Sequence, residues 1–167
     1  MTDKVYLVGF MASGKTSVAR ALAARLAWRA EDIDELIEAR ERLTVTEIFA
    51  RFGEPYFRSA ERDILRLMLP LRQTVVATGG GTFVDSENRA AMMLDGVSVW
   101  IDVPFPEILA RLPADGSRPL AADLSQLERL YHHRRAAYQQ AHIRIDAAGA
   151  PVETVVESIL DALSRSV

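Results

Sequence analysis

The length, composition and charge of the chain exclude several classes of protein. With 167 residues, 49% of them hydrophobic, the chain is long enough for one well-buried core and too short for two ordinary domains. A net charge of -3, no cysteine and no apolar run approaching the roughly 18 residues of a membrane span predict a cytoplasmic monomer that acts on a small molecule and binds neither nucleic acid nor membrane.

Residues 9–16, GFMASGKT, match the phosphate-binding loop pattern G-x-x-x-x-G-K-[ST] without a gap. The apolar run at 5–8 predicts a strand before the loop, and the apolar spacing over 16–26 predicts a helix after it. In such a loop, backbone N–H groups and the helix dipole bind phosphate oxygens. Lys15 would reach the β- and γ-phosphates, and the Thr16 hydroxyl would ligate Mg²⁺. The loop therefore predicts a nucleoside triphosphate site, although it does not identify the reaction.

Two aspartates, Asp32 and Asp34, follow closely after the first predicted helix. In an extended chain, residues two apart project from the same side, so one carboxylate can hold a metal-bound water while the other accepts a proton from a substrate hydroxyl. Acidic residues at positions 31, 32 and 34 are equally typical of the first turn of a helix. The residues alone favour neither interpretation.

Residues 35–69 have helical spacing that is interrupted. Thr44 and Glu47 form a capping-box pattern, Gly53 is typical of a helix end, and Pro55 is typical of the first position of the next helix. A βαβ unit needs only one helix, so we predict that the additional helical segment is an insertion over the nucleotide loop that holds a second substrate.

Farther along the chain, predicted strands alternate with predicted helices. The buried-strand pattern at 74–78 runs into three glycines that suit either a plain turn or a loop that approaches a ligand closely. A helix capped by Asp85 and a strand at 97–103 follow. This alternation predicts a parallel sheet with helices on both faces.

The last third of the chain contains a predicted loop between two helices. A short helix at 105–112 is followed by a segment rich in proline, glycine and polar residues, around which Arg111 and Arg118 can either reach a nucleotide when the loop closes or face solvent. The capping-box pattern at 125–128 predicts the start of a long helix. A strand at 143–146 and an amphipathic helix at 152–163 complete the chain.

Laid out in order, these segments resemble the shikimate kinase family over essentially the whole chain. The motifs that carry the resemblance are Gly9 to Thr16 with Met11; Asp32-Ile33-Asp34 with Glu38; Gly53-Glu54 with Phe57-Arg58 and Glu61; Thr78-Gly79-Gly80-Gly81; Arg118-Pro119-Leu120; and Arg134 with Tyr138. From spacing alone, Arg58 and Glu61 would be a surface ion pair.

The resemblance implies a three-layer α/β fold with a five-stranded parallel sheet, similar to nucleoside monophosphate kinases. It implies one domain over 1–167, with a core at 1–32, 62–112 and 124–167, a substrate-binding flap at 33–61 and a lid at 113–123. The implied activity is the ATP-dependent phosphorylation of a shikimate hydroxyl to shikimate 3-phosphate in aromatic amino-acid biosynthesis.

The resemblance also implies roles for individual residues. The catalytic residues would be Lys15, Asp34 and Arg118. The nucleotide would contact Gly9, Met11, Ala12, Ser13, Gly14, Lys15, Thr16, Ser17, Arg111 and Arg118. Shikimate would contact Asp34, Arg58, Gly79, Gly80, Gly81 and Arg134, while Thr16 and, through water, Asp32 would serve Mg²⁺.

Two departures from the family pattern leave alternatives open. Ala136-Ala137 replaces a proline and a large apolar residue before Tyr138, so Arg135 competes with Arg134 for the substrate carboxylate. The segment after Asp146 lacks an asparagine often found near adenine, which leaves the nucleotide preference open. The alternative functions are a kinase of another small polyol acid, such as gluconate, and a nucleotide-dependent switch. Against the switch, the sequence contains no N-K-x-D-type guanine signature.

Overall fold

The computed structural model describes residues 2–112 and 121–166 and is centred on a five-stranded parallel sheet. The strands are β1 (Lys4–Val8), β2 (Arg29–Asp32), β3 (Thr74–Ala77), β4 (Val97–Asp102) and β5 (Ile143–Asp146). Their order in the sheet is β2-β3-β1-β4-β5, and every neighbouring pair is parallel. The predicted fold class is therefore confirmed.

Seven α-helices are described around this sheet. They are α1 (Lys15–Leu26), α2 (Ile33–Glu41), α3 (Val45–Met68), α4 (Ser86–Asp95), α5 (Phe105–Arg111), α6 (Ala121–Tyr138) and α7 (Val152–Arg165). The predicted capping box at Thr44 and the cap at Asp85 both form. Gly53 has φ 82° and ψ 171°, which interrupts the helical conformation of α3 two residues before Pro55, as the sequence predicts.

The core is built mainly on the central strands. Every residue of β1 and β3 is buried, as expected for strands of a parallel sheet covered on both faces. The edge strand β2, with the sequence RAED, is exposed or half-buried. Because all strands run in one direction, the loops that follow β1 to β4 meet at the carboxyl edge of the sheet, where open α/β sheets bind ligands. None of the helices in 2–112 or 121–166 has the length and apolarity needed to cross a membrane.

The start of α6 differs from the prediction. The helix begins at Ala121, so the capping-box pattern at Ser125 lies inside it. Two alanines have high helix propensity, and Asp123 suits the positive end of the helix dipole. Local propensity therefore extends the helix by one turn towards the amino terminus.

Part of the predicted lid lies outside the described residues. Residues 113–120, with Arg118, belong to that part, while 121–123 form the first turn of α6. The predicted flap, 33–61, corresponds to α2 and the first portion of α3, which are the two helices between β2 and β3. The boundaries of flap and lid stay predictions.

Candidate active site

A cavity of about 380 Å³ lies at the carboxyl ends of β1, β2 and β3. Seven of the predicted nucleotide-binding residues line it: Met11, Ala12, Ser13, Gly14, Lys15, Thr16 and Ser17. The other lining residues are Asp32, Asp34, Glu35, Thr78, Gly79 and Gly80. We call it the loop cavity. Its residues come from three separate segments, which only the sheet order brings together.

The phosphate loop has a backbone that requires glycine at two positions. Gly9 has φ +149°, and a Cβ there would lie 2.8 Å from the carbonyl oxygen of Ile101. Gly14, at φ +91°, precedes the first residue of α1. The loop therefore turns directly from β1 into a helix whose free N–H groups face the cavity.

Lys15 is buried and bound to its own loop. Its Nζ donates to the carbonyl oxygens of Gly9 and Phe10, at 2.8 Å each. Burial lowers the pKa of Lys15 to about 8, against the favourable charges of Asp34 and Asp32. The amine is thus held at the loop cavity, where burial makes its charged form less favourable than in water.

Asp32 and Asp34 both line the loop cavity, but not in an extended chain. Asp32 ends β2 and caps α2, where its carboxylate accepts from the Glu35 N–H at 3.0 Å. Asp34 lies in the first turn of α2. The helix-start interpretation is therefore correct, and the turn still directs both carboxylates to one cavity. Asp32 also accepts a hydrogen bond from the Thr16 hydroxyl.

Asp34 is the one side chain in the described ranges with a buried oxygen, Oδ1, that has no hydrogen-bond partner. Burial, reinforced by the negative charge of Asp32, raises the pKa of Asp34 to about 6. An acceptor atom without a partner is costly to bury. Such an atom in a cavity is available to a ligand that donates a hydrogen bond.

A second cavity, of about 230 Å³, adjoins the first. It is lined by Met11, Asp34, Val45, Phe49, Phe57, Arg58, Glu61, Gly79, Gly80, Gly81 and Arg134, and we call it the arginine cavity. Met11, Asp34, Gly79 and Gly80 line both cavities. Asp34 therefore lies where the two compartments meet.

Arg58 and Glu61 form an ion pair in which Glu61 is buried and Arg58 is half-buried, so the surface location predicted from their spacing is wrong. Arg58 Nη1 donates to the two carboxylate oxygens of Glu61 at 3.0 and 3.3 Å, and the Glu61 side chain has 0% exposure. Thr82, which sequence reasoning missed, donates from its hydroxyl to Glu61 at 2.8 Å. Glu61 thus anchors the guanidinium of Arg58 against the loop that follows β3.

The three consecutive glycines permit the close approach of site side chains. A Cβ at Gly79 would lie 2.8 Å from an oxygen of Asp34, and one at Gly80 would lie 2.9 Å from Nη1 of Arg134. At Gly81 it would lie 2.5 Å from the guanidinium of Arg58. A side chain at any of these three positions would displace Asp34, Arg134 or Arg58 from its place in the site.

Arg134 and Arg135 face different parts of the molecule. Arg134 lines the arginine cavity, whereas Arg135 forms an ion pair with Asp102 at 2.7 Å. Tyr138, four residues beyond Arg134, donates from its hydroxyl to the carbonyl oxygen of Gly80 at 2.5 Å, and burial raises its pKa to about 12. Of the two arginines, Arg134 is the one that lines the arginine cavity, and its role in binding the substrate carboxylate stays a prediction.

Arg111 lies beside the phosphate loop. Its Nη1 donates to the Ala12 carbonyl at 3.1 Å, and its Nη2 pairs with Glu107 at 3.0 Å. Glu107, which the sequence interpretation missed, also accepts from the Gly149 N–H at 2.7 Å. The loop after β5 is therefore tied to the same end of the site.

The five-stranded parallel sheet carries a cavity lined by the phosphate loop and, beside it, a second cavity lined by arginines. This arrangement defines a phosphate-loop kinase of small molecules. The family model for shikimate kinase matches residues 11–164. The chain accordingly belongs to the shikimate kinase family. Membership implies a transferase that uses ATP.

Individual relatives agree with this assignment. A shikimate kinase from Persephonella marina is 39% identical over 157 residues, which cover 93% of this chain and 96% of the relative. The solved structure of shikimate kinase from Aquifex aeolicus has a TM-score of 0.88 at 36% identity, with 96% of each chain covered. The Acinetobacter baumannii enzyme, solved in complex with shikimate, has a TM-score of 0.93 at 30% identity, with 99% of this chain and 95% of that one covered.

Proposed function

We propose that this chain transfers the γ-phosphoryl group of ATP to the 3-hydroxyl of shikimate. The observation that carries the proposal is the position of Asp34, which has an unpartnered buried oxygen and lines both cavities. A donor nucleotide in the loop cavity and an acceptor in the arginine cavity would meet at this carboxylate. The absence of cysteine supports a reducing compartment such as the cytoplasm.

The arginine cavity has the chemistry that shikimate requires. Arg58 and Arg134 both line it, and guanidinium groups bind carboxylates through charge-assisted, often bidentate, hydrogen bonds. Phe49 and Phe57, which lie 4.8 Å apart between ring centroids, supply an apolar wall for the carbon ring. The relative from Acinetobacter baumannii, solved with shikimate, supports this substrate.

The loop cavity has the groups that a Mg²⁺ nucleotide requires. The Thr16 hydroxyl and the Asp32 carboxylate are in hydrogen-bond contact beside the phosphate loop. Mg²⁺ prefers one or two protein oxygens and completes its shell with phosphates and water, so this pair fits it. Described residues contain no group of three or more acidic, histidine or cysteine side chains suited to a metal, which also favours a metal carried by the nucleotide. The ion would supply charge neutralisation at the phosphates.

Asp34 would orient the attacking hydroxyl and accept its proton. With a pKa of about 6, Asp34 is ionised at neutral pH and has an oxygen free for this hydrogen bond. Lys15 would leave its loop carbonyls for the γ-phosphate. Phosphoryl transfer needs positioning and charge stabilisation more than covalent chemistry, which this arrangement can provide. Arg118, which lies outside the described residues, and the lid stay predicted contributors.

The direct test is release of ADP, measured in a coupled assay with shikimate, gluconate, nucleoside monophosphates or water as acceptor. We expect turnover with shikimate, little with gluconate and only slow hydrolysis with water. A higher kcat/KM for gluconate would replace shikimate by another polyol acid. Nucleotide hydrolysis that no acceptor stimulates would instead support a nucleotide-dependent switch.

Arg58→Ala should weaken shikimate binding by about 1.5 to 3 kcal/mol, the range for hydrogen bonds to charged groups. Titration calorimetry with shikimate measures this loss. Arg66→Ala is a matched control, because Arg66 forms an exposed ion pair with Asp63 at 3.5 Å on the same helix. Unaltered shikimate affinity in Arg58→Ala would reduce Arg58 to a partner of Glu61.

A further inference from the structure

The carboxylate of Asp102, at the end of β4, is held between two arginines. Arg135 of α6 donates from Nη1 to Oδ1 at 2.7 Å and from Nη2 to Oδ2 at 3.3 Å. Arg144 of β5 donates from Nε to Oδ2 at 2.9 Å and forms an ion pair from Nη2 at 2.7 Å. The side chains of Asp102 and Arg135 are 8% and 26% exposed, whereas that of Arg144 is 57% exposed, so the contact with Arg135 is the better shielded from solvent.

Aromatic rings complete the surroundings of this carboxylate. The guanidinium carbons of Arg135 and Arg144 lie 4.8 and 5.5 Å from the ring centroid of Trp100, which is 2% exposed. Tyr131, one helical turn before Arg135, accepts from it at 3.0 Å and donates to the Val103 carbonyl at 2.7 Å. The ion pair therefore fixes one face of α6 against the end of β4.

This fixed face determines the direction of Arg134. Consecutive residues of an α-helix are separated by about 100° around its axis, so the rotation that seats Arg135 on Asp102 also sets where its neighbour points. Arg134 then lies in the arginine cavity, with Nη1 2.9 Å from the position that a Cβ of Gly80 would take. A small rotation of α6 would move this guanidinium relative to Arg58.

Other contacts also hold this part of α6. The ring of Tyr131 lies 5.2 Å from those of Phe10 and Phe105, and Ala137 is buried. Tyr138 contributes a further contact through Gly80, and its ring lies 6.0 Å from that of Trp100. Arg134 is thus followed directly by the ion pair of Arg135 and, four residues on, by the Tyr138 contact; the ion pair is the charged contact that joins α6 to β4.

We propose that Asp102 and Arg135 are positioning residues that orient Arg134 towards the carboxylate of the acceptor substrate. The inference rests on the proposed function, because it assumes that Arg134 binds shikimate. Asp102 and Arg135 line neither the loop cavity nor the arginine cavity. They line a separate cavity of about 600 Å³, so they would reach the acceptor site through the orientation of α6 rather than through contact with the acceptor.

Arg144 provides a matched control for Arg135. Both arginines pair with the same carboxylate and lie over the same tryptophan, but Arg144 belongs to β5 and does not touch α6 through this contact. Arg135→Gln should raise both the dissociation constant and the KM for shikimate about tenfold, within the range by which groups outside a site modulate binding, with the KM for ATP unchanged. Arg144→Gln should leave the shikimate constants within about twofold of wild type, although it loses an ion pair of the same kind.

The outcomes distinguish this inference from the proposed function. If Arg134→Gln and Arg135→Gln both weaken shikimate binding and Arg144→Gln does not, the positioning role is supported. If only Arg134→Gln weakens it, the positioning role is overturned while the proposed function stands. If Arg134→Gln leaves shikimate binding unchanged, the role of Arg134 and the positioning role both fail, while ADP release with shikimate still decides the proposed function. Arg135→Lys keeps the positive charge and gives the same test if Arg135→Gln does not fold. This variant should bind shikimate nearly as well as wild type. Shikimate affinity no better than that of Arg135→Gln would overturn the role of the ion pair.

Discussion

Two buried lysines lie near opposite ends of β1 and have different surroundings. Lys4, at the amino end, has a fully buried side chain that pairs with Asp95 at 3.0 Å and donates to the Met68 carbonyl at 2.5 Å. Lys15, just beyond the carboxyl end, donates to loop carbonyls, and within residues 2–112 and 121–166 it forms no ion pair. One charge is neutralised by the protein, and the other is left for a ligand.

The aspartates at the two ends differ in the same way. Burial alone would raise the pKa of Asp95, but hydrogen bonds from Tyr6 and Lys4 outweigh it and hold that pKa below its ordinary value. At the other end, burial raises the pKa of Asp34 to about 6, and one of its oxygens is unpartnered. Perturbed groups without a protein partner are candidates for functional sites, whereas removing one partner of a buried ion pair destabilises the fold. The comparison therefore separates a structural end of the sheet from the end that holds the candidate active site.

Lys15→Ala should have the largest effect on turnover. We expect kcat to fall at least about 10³-fold, because the loop N–H groups cannot replace a positive charge at the γ-phosphate. The melting temperature should change little, since relief of the buried charge of Lys15 offsets the loss of its hydrogen bonds to the Gly9 and Phe10 carbonyls. Steady-state kinetics and a thermal melt of the same sample measure the two effects. Near-normal turnover would contradict the catalytic assignment of this end.

Lys4→Met should show the reverse behaviour. Removing one partner of a buried ion pair costs about 3 kcal/mol or more, and here it also leaves the Met68 and Leu69 carbonyls without their donor. Turnover per folded molecule should stay close to wild type. Urea unfolding gives the free energy of unfolding, and kcat is measured well below the unfolding midpoint. An unchanged free energy of unfolding would show that the amino end is not a structural cluster.

Asp34→Asn should stabilise the protein at high pH while abolishing most of its activity. The pKa of Asp34 is raised from 3.8 to about 6 in the folded state, so the folded protein holds this proton more tightly and loses stability as pH rises through that window. The variant should gain on the order of 1 to 2 kcal/mol relative to wild type at pH 8.

That gain should disappear as pH falls below about 4, where the wild-type carboxyl is protonated in both folded and unfolded states. Urea unfolding at a series of pH values measures it. Asp95→Asn is the matched control and should lose stability at pH 8, because the folded state favours the charged form of Asp95. A destabilised Asp34→Asn at pH 8 would indicate that Asp34 is a paired structural group.

Much of the fold could be predicted because its signals are local. The phosphate-loop pattern, the Thr44 and Asp85 caps and the break at Gly53 each depend on residues within one turn or loop, and the structure confirms them. The start of α6 was missed because two local signals competed there, and helix propensity outweighed a capping pattern.

The site was less predictable because its geometry depends on residues far apart in sequence. The spacing of Arg58 and Glu61 is the same for a surface pair and a buried one. Glu61 is buried against the segment after β3, where Thr82 donates a hydrogen bond to it, and Thr82 is far from Glu61 in the sequence. Arg134 and Arg135 are adjacent, so no spacing argument distinguishes them. Asp102, at the end of β4, pairs with Arg135 and so determines that Arg135 is the one that turns away from the arginine cavity.

Titration of the aspartate carboxyls by ¹³C NMR tests the difference between the two ends of the sheet most directly. Resonances of the ligand-free protein can be assigned with Asp34→Asn and Asp95→Asn. We predict that Asp34 titrates near pH 6 and that Asp95 titrates below the ordinary aspartate value. If both carboxyls titrate together near the ordinary value of about 4, the site carboxylate is not held apart from the structural one, and the account is contradicted.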